Sequence, residues 1–229
     1  MIPKKIYYCW FGWNQKSDIV KKCIASWQKH CPDYDIIEIN EDNFDVTQNH
    51  FVRENYTQKK RAFVADFARL EMLNQHWGVY LDTDMEVIKN IDDFLQYICF
   101  LWKEDTTNIN FAIVWSQKNN PLLQGVMDYY IKNPTTKSTI VEIWTKVYHK
   151  LSDSDQKNIT IFDKQYFYPF HATEVFVPSC ITGKTHTIHW RDFSWWSGRK
   201  RFIHWLTKKY KKFAYINNIL RKIYSKMSS

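Results

Sequence analysis

Two carboxylates one residue apart close the run Gly78-Val79-Tyr80-Leu81-Asp82-Thr83-Asp84. An apolar strand that ends in such a pair delivers both side chains to the carboxyl edge of a sheet, where open α/β sheets bind ligands. Carboxylates this close repel each other unless a cation lies between them. A hard divalent ion with oxygen ligands meets that need and can also hold a diphosphate. The bland counterpart is a loop with two solvated acids. Asp66 and Arg69 precede this run, one helical turn apart, so they share a face. The acid can accept from sugar or ribose hydroxyls, and the guanidinium can complement a diphosphate or a sugar oxygen. Their plain alternative is a surface ion pair at i,i+3 spacing.

Trp10 stands at the end of an apolar run near Gly12. An indole at a sheet edge can stack on a nucleobase, although most tryptophans are core. Late in the chain, His189-Trp190-Arg191-Asp192-Phe193-Ser194-Trp195-Trp196 is dense in polar-tipped groups. A neutral His189 imidazole can be a third metal ligand, or a structural histidine on a strand. Ser194 and an indole N–H can donate to a phosphate. Phosphate-cradling glycine loops, a nucleophile elbow and the HExxH zinc motif are all missing.

The elements that must position these residues are readable from periodicity. Ile6 to Phe11 suits a buried strand that Gly12 ends. Ser17 or Asp18 can cap a helix to about Lys29, broken by Cys31-Pro32-Asp33. Asp35 to Asn40 alternates as a second strand. The spacing predicts helices over Arg53 to Lys60 and Arg61 to His76, the latter stopped by Gly78. Val79 to Leu81, Tyr97 to Trp102, Phe111 to Trp115 and Thr185 to Trp190 read as strands. Pro121 to Ile131 and Thr139 to Leu151 read as helices, and Ser152 to Gly183 is turn-rich. Strands alternating with helices argue for a single Rossmann-like α/β domain around a largely parallel sheet, over residues 1–198.

Charge divides the chain. Of its 32 basic residues, ten lie in the last 31 positions, from Arg199 to Ser229, with no acid among them. The rest holds 22 basic against 24 acidic side chains, so the excess belongs to the tail. Phe202, Trp205, Leu206, Phe213, Ile216, Leu220, Ile223 and Met227 recur there at helical steps. A basic amphipathic helix with interleaved aromatics suits an anionic membrane surface, its alternative being a helix packed on the core. Nucleic acid is a poorer fit, because the body has no matching basic stripe. Five cysteines without a CxxC pair point to a reduced, cytoplasmic compartment. No apolar run reaches the roughly 18 residues of a membrane span.

The blocks Ile2 to Gly12, Cys23-Ile24-Ala25-Ser26-Trp27 with Pro32-Asp33-Tyr34, Ala62 to Leu70, and Gly78 to Asp84 occur in an order and spacing that resemble the DXD-containing glycosyltransferases of family 32. His189 with Ser194-Trp195 is similar to the closing signature of that family. Tyr7 departs from the family's usual histidine, and Trp77 from the first of two glycines.

The resemblance implies a GT-A fold, a divalent metal (Mn²⁺ or Mg²⁺), a nucleotide-sugar donor and retention of anomeric configuration. By position it implies that Trp10 stacks on the base and that Asp66 and Arg69 contact ribose and donor sugar. Asp82 and Asp84 would hold metal and diphosphate, and His189 would complete the metal shell. Ser194 and Trp195 would touch the β-phosphate, and Asn110 would lie near the donor sugar. The function expected is transfer of a hexose or N-acetylhexosamine, UDP-linked, to a glycan acceptor, free or lipid-linked. The protein would then be peripheral on the inner face of the membrane. Two readings from other classes stay open: a metal-dependent phosphohydrolase using the same Asp pair, and a non-catalytic lipid-binding scaffold.

Overall fold

The computed structural model describes residues 3–103, 109–171, 174 and 176–191. Ser194, Trp195 and the basic tail lie outside the described residues.

The first half alternates strand and helix: β1 (Lys5–Cys9), α1 (Asp18–His30), β2 (Asp35–Ile39), α2 (His50–Thr57), α3 (Arg61–His76) and β3 (Gly78–Leu81). Then come β4 (Met85–Val87), β5 (Cys99–Lys103), β6 (Ile109–Ser116), α4 (Pro121–Lys132) and α5 (Ile140–Tyr148). The last elements are α6 (Asp153–Lys157), β7 (Ile159–Phe162), α7 (Lys164–Phe167) and β8 (Thr187–His189). Six strands form one sheet in the order β2-β1-β3-β6-β5-β7. The pairs β1–β2, β1–β3 and β5–β7 are parallel, whereas β6 runs antiparallel to both β3 and β5. β4 and β8 form a separate antiparallel ribbon.

Strand alternation sends successive side chains to opposite faces. Tyr7 and Cys9 join a core with Val64, Phe67, Leu70, Leu122, Val126 and Trp144, beneath α3, α4 and α5. Ile6 and Tyr8 join the opposite core with Cys23, Trp27, Phe94 and Phe167. The same parity puts Tyr80 on the α3 face and Val79 and Leu81 on the α1 face. Asp82, two residues after Tyr80, inherits the α3 face.

Local capping sets the helix starts. The Ser17 side chain accepts from Val20 N, and Thr139 with Glu142 forms a reciprocal capping box on α5. α2 starts at His50 rather than at Arg53, because the Asn49 side chain accepts from Val52 N and adds a turn. The expected strand over Thr185 to Trp190 shrinks to β8 and pairs with β4 instead of joining the main sheet. Both departures from the family pattern are packing features. Tyr7 is buried against Gly78, and Trp77 ends α3 in a left-handed conformation (φ 60°) of the kind a glycine would normally supply. Among the described residues, no helix is long and apolar enough to cross a membrane.

Candidate active site

Strand parity and one tight turn build the centre. The Asp82 amide donates to the Ala112 carbonyl at 2.7 Å, carrying the β3–β6 ladder one residue past the strand. The Asp82 carbonyl then accepts from Met85 N at 2.9 Å, so the chain reverses over Thr83 and Asp84 into β4. β4 is pinned from below by the Trp27 indole, which donates to the Met85 carbonyl at 2.6 Å. Pairing of Met85 with His189 across the ribbon brings the distant histidine to the acidic turn. Trp190 N donates to the Asp84 carbonyl at 3.0 Å and closes the join.

The side chains converge accordingly. His189 Nε2 lies 3.2 Å from Asp84 Oδ1. One ligand atom from each of Asp82, Asp84 and His189 falls within a 4.8 Å span. Two carboxylates and an imidazole are a suitable donor set for a divalent ion of the Mn²⁺ or Mg²⁺ type. Burial raises the Asp82 carboxyl above its ordinary value; Arg69 pulls it down, Asp84 pushes it up again and His189 opposes that. A site that penalises its own anionic form in this way gains from a bound cation.

Arg69 ties this centre to Asp66. Its Nη2 is 3.0 Å from Asp66 Oδ1 and its Nη1 3.2 Å from Asp82 Oδ1. Nε donates to the Ala65 carbonyl and Nη1 to the Phe111 carbonyl, at 3.3 and 3.5 Å. The guanidinium carbon sits 4.4 Å from the Tyr80 ring centroid. The i,i+3 pair is therefore not a surface salt bridge: the Arg69 and Asp66 side chains are 8% and 11% exposed. Burial pushes the Asp66 carboxyl up to about 7, Arg69 opposing and Asp82 reinforcing the shift.

Tyr80 is a member of the site that residue-by-residue reading missed. Its hydroxyl donates to Asp82 Oδ1 at 3.1 Å, the same oxygen that Arg69 reaches. The signal was present in the two-residue spacing, which puts both side chains on one face of an extended strand. Asn110 sits at the start of β6, at the same sheet edge, and its Oδ1 accepts from Phe111 N and Ala112 N at 2.7 and 2.9 Å. Trp10 follows β1 at that edge, but by parity it faces the α1 side. Its indole donates to the Asn14 carbonyl at 2.7 Å, and Lys16 Nζ lies 5.6 Å from its ring. Asp66, Arg69, Asp82, Asp84 and His189 are thus brought together, with Asn110 and Trp10 along the same edge.

Residues 17–101 match the family of glycosyltransferase sugar-binding regions containing a DXD motif. An uncharacterized glycosyltransferase, L373, of Acanthamoeba polyphaga mimivirus is 31% identical over 128 residues, 50% of this chain and 47% of that protein. The chain thus spans about half the length of this curated relative. Among solved structures, the PaToxG glycosyltransferase superposes with a TM-score of 0.55 at 18% identity, over 69% of this chain and 73% of its own. A glycosyltransferase involved in glycosylation of the major capsid of PBCV-1 gives 0.50 at 14% identity, over 88% and 98%. The fold is the GT-A type. Fold, matched segment and relative together support a glycosyltransferase of the DXD kind.

Proposed function

We propose that the protein is a metal-dependent, retaining family 32 glycosyltransferase. It moves a hexose or N-acetylhexosamine from a nucleotide sugar, UDP-linked, to a glycan acceptor in surface polysaccharide synthesis. The observation that carries this reading is the convergence of Asp82, Asp84 and His189 within 4.8 Å, joined through Arg69 to the buried Asp66. Asp82, Asp84 and His189 would hold the divalent ion, which when bound supplies charge stabilisation to the departing diphosphate. Arg69, fixed by five polar and ring contacts, would meet donor sugar and diphosphate without having to reorganise. Asp66 would accept from ribose or sugar hydroxyls, Asn110 would lie beside the donor sugar, and Trp10 would stack on the base.

Ser194 and Trp195 would contact the β-phosphate, a role that rests on the sequence signature alone. Residues 1–198 would form the catalytic domain. The basic segment 199–229 would hold it at an anionic membrane surface, on the cytoplasmic side, near a lipid-linked acceptor. A screen of nucleotide sugars for Mn²⁺-dependent release of nucleoside diphosphate tests the reading. Turnover with one donor, accelerated by an acceptor glycan, is expected. Metal-independent turnover, or release of free sugar that acceptors never accelerate, overturns it.

A further inference from the structure

The loop after β1 is tied down at alternate residues. The Trp10 indole donates to the Asn14 carbonyl at 2.7 Å, and Gly12 N donates to Glu41 Oε1 at 2.7 Å. Lys16 pairs with Glu38 at 2.7 Å and lies over the Trp10 ring. The glutamate is held in turn, since the Tyr56 hydroxyl donates to the same Glu41 oxygen at 2.8 Å. Within this braced loop one aromatic side chain is left in solvent beside the exposed Asn14 and Gln15: Trp13 is 67% exposed. It is the only aromatic among the three large apolar side chains that are exposed in the described residues, the others being Ile98 and Ile131.

Backbone geometry adds an independent observation. Gly12 and Trp13 both have positive φ, 95° and 57°. Glycine adopts this region freely, but a bulky residue there is strained. A strained, solvent-facing indole gains nothing from burial, and strain of this kind concentrates at ligand sites. Position then selects the ligand. β1 is the parallel neighbour of β3, so the loop leaves the sheet about 4.8 Å, one strand spacing, from the strand that ends in Asp82. β6, with Asn110, flanks β3 on the other side. If the diphosphate lies at Asp82 and Asp84 and the transferred sugar toward Arg69 and Asn110, the nucleoside extends toward the β1 loop.

We propose that Trp13 is a second aromatic platform for the donor's nucleobase, held in solvent by a loop wound left-handed for that purpose. This rests on the nucleotide-sugar reading above. The probes are UDP and GDP, each with Mn²⁺, and ribose 5′-diphosphate, which lacks a base. Trp13→Gly should weaken the better nucleotide roughly tenfold, the scale of one base–aromatic stack. Binding of ribose 5′-diphosphate should be unchanged, and Trp13→Phe should retain most of the affinity. Because the indole is exposed and its backbone strained, Trp13→Gly should melt no lower than the parent. Equal nucleotide affinity in parent and Trp13→Gly overturns the role of Trp13 alone. An equal loss for the baseless probe also overturns it, by assigning the effect to the loop. Absence of metal-dependent binding of either nucleotide to the parent instead overturns the donor reading, and Trp13 falls with it.

Discussion

His189 Nε2 stands 3.2 Å from Asp84 Oδ1 because a three-residue strand, β8, pairs in register with the chain that leaves the acidic turn. The histidine is held by ladder geometry rather than by proximity in sequence. His189→Ala and Asp84→Asn should therefore lower Mn²⁺ affinity without unfolding the protein. Loss of the ion removes several kcal/mol of charge stabilisation, so turnover should fall about 100-fold or more. Titration calorimetry with Mn²⁺ alone, beside activity in excess chelator, checks this. Full turnover with chelator present sinks the metal assignment.

Arg69 carries the electrostatics of two acids at once, the buried Asp66 and the part-buried Asp82. Replacing it by methionine leaves Asp66 and Asp82 without their cation, and breaking a buried pair from one side typically costs about 3–5 kcal/mol. Removing Asp66 as well should return part of that loss. A double-mutant cycle of Arg69→Met and Asp66→Leu, followed by denaturant unfolding, should show coupling above about 1 kcal/mol. Strict additivity would mean that the pair is not energetically engaged.

Much of this arrangement is legible in the chain. Ile6 and Tyr8 against Tyr7 and Cys9 announce a strand buried on both faces, and the spacing of Asp66 and Arg69 places them on one face of a helix. Spacing does not say what covers that face. The answer lies in Tyr80, whose register on the next strand only the sheet fixes, and in the Phe111 carbonyl, on a strand far from α3 in sequence. β4 is invisible for a similar reason. Met85-Glu86-Val87 alternates, but over three residues that is no signal, and it becomes a strand through its partner β8 and the Trp27 indole. α7 and β7 are shaped by rings rather than by pattern: Phe162, Tyr166 and Phe167 all gather around Phe94.

Gly78 tests the far end of the same strand. Its φ is +141°, and a Cβ there would lie 2.7 Å from Tyr7 Cε2 and 3.0 Å from the Lys5 carbonyl. Both the backbone and the buried ring resist, so Gly78→Ala should cost about 2–4 kcal/mol. The expected signature is a lower melting temperature with nearly unchanged KM in the surviving folded fraction. A variant as stable as the parent would show that β1 and β3 can separate to admit the methyl.

His186 supplies a pH dependence away from the proposed metal ligands. It is 4% exposed, and its Nδ1 donates to the Asn90 carbonyl at 2.7 Å. Burial lowers its pKa below the usual 6.5; the Asn90 bond opposes this, Lys89 reinforces it and Asp93 opposes it. The unfolded chain therefore takes up the proton first as pH falls, so stability is lost below about pH 6.5 and the slope is positive in that window. Melting temperatures between pH 7 and 5 should drop in the parent and drop less in His186→Gln. Parallel curves would assign the slope to other groups.

The basic segment yields a prediction from composition alone, since it lies outside the described residues. Ten cations without one acid from Arg199 to Ser229, interleaved with Phe202, Trp205 and Phe213, match the chemistry of an anionic lipid surface. Each cation near such a surface contributes about 1 kcal/mol. Replacing Lys208, Lys209, Lys211 and Lys212 by glutamine should thus remove about 4 kcal/mol, close to a thousandfold in partitioning. The full chain should sediment with phosphatidylglycerol vesicles, leave them as salt shortens the screening length below about 8 Å, and ignore phosphatidylcholine vesicles. Donor hydrolysis in solution should survive the four substitutions, because the proposed catalytic constellation uses none of those lysines. Sedimentation of the glutamine variant as complete as the parent's would show that these four charges do not hold the protein to the lipid.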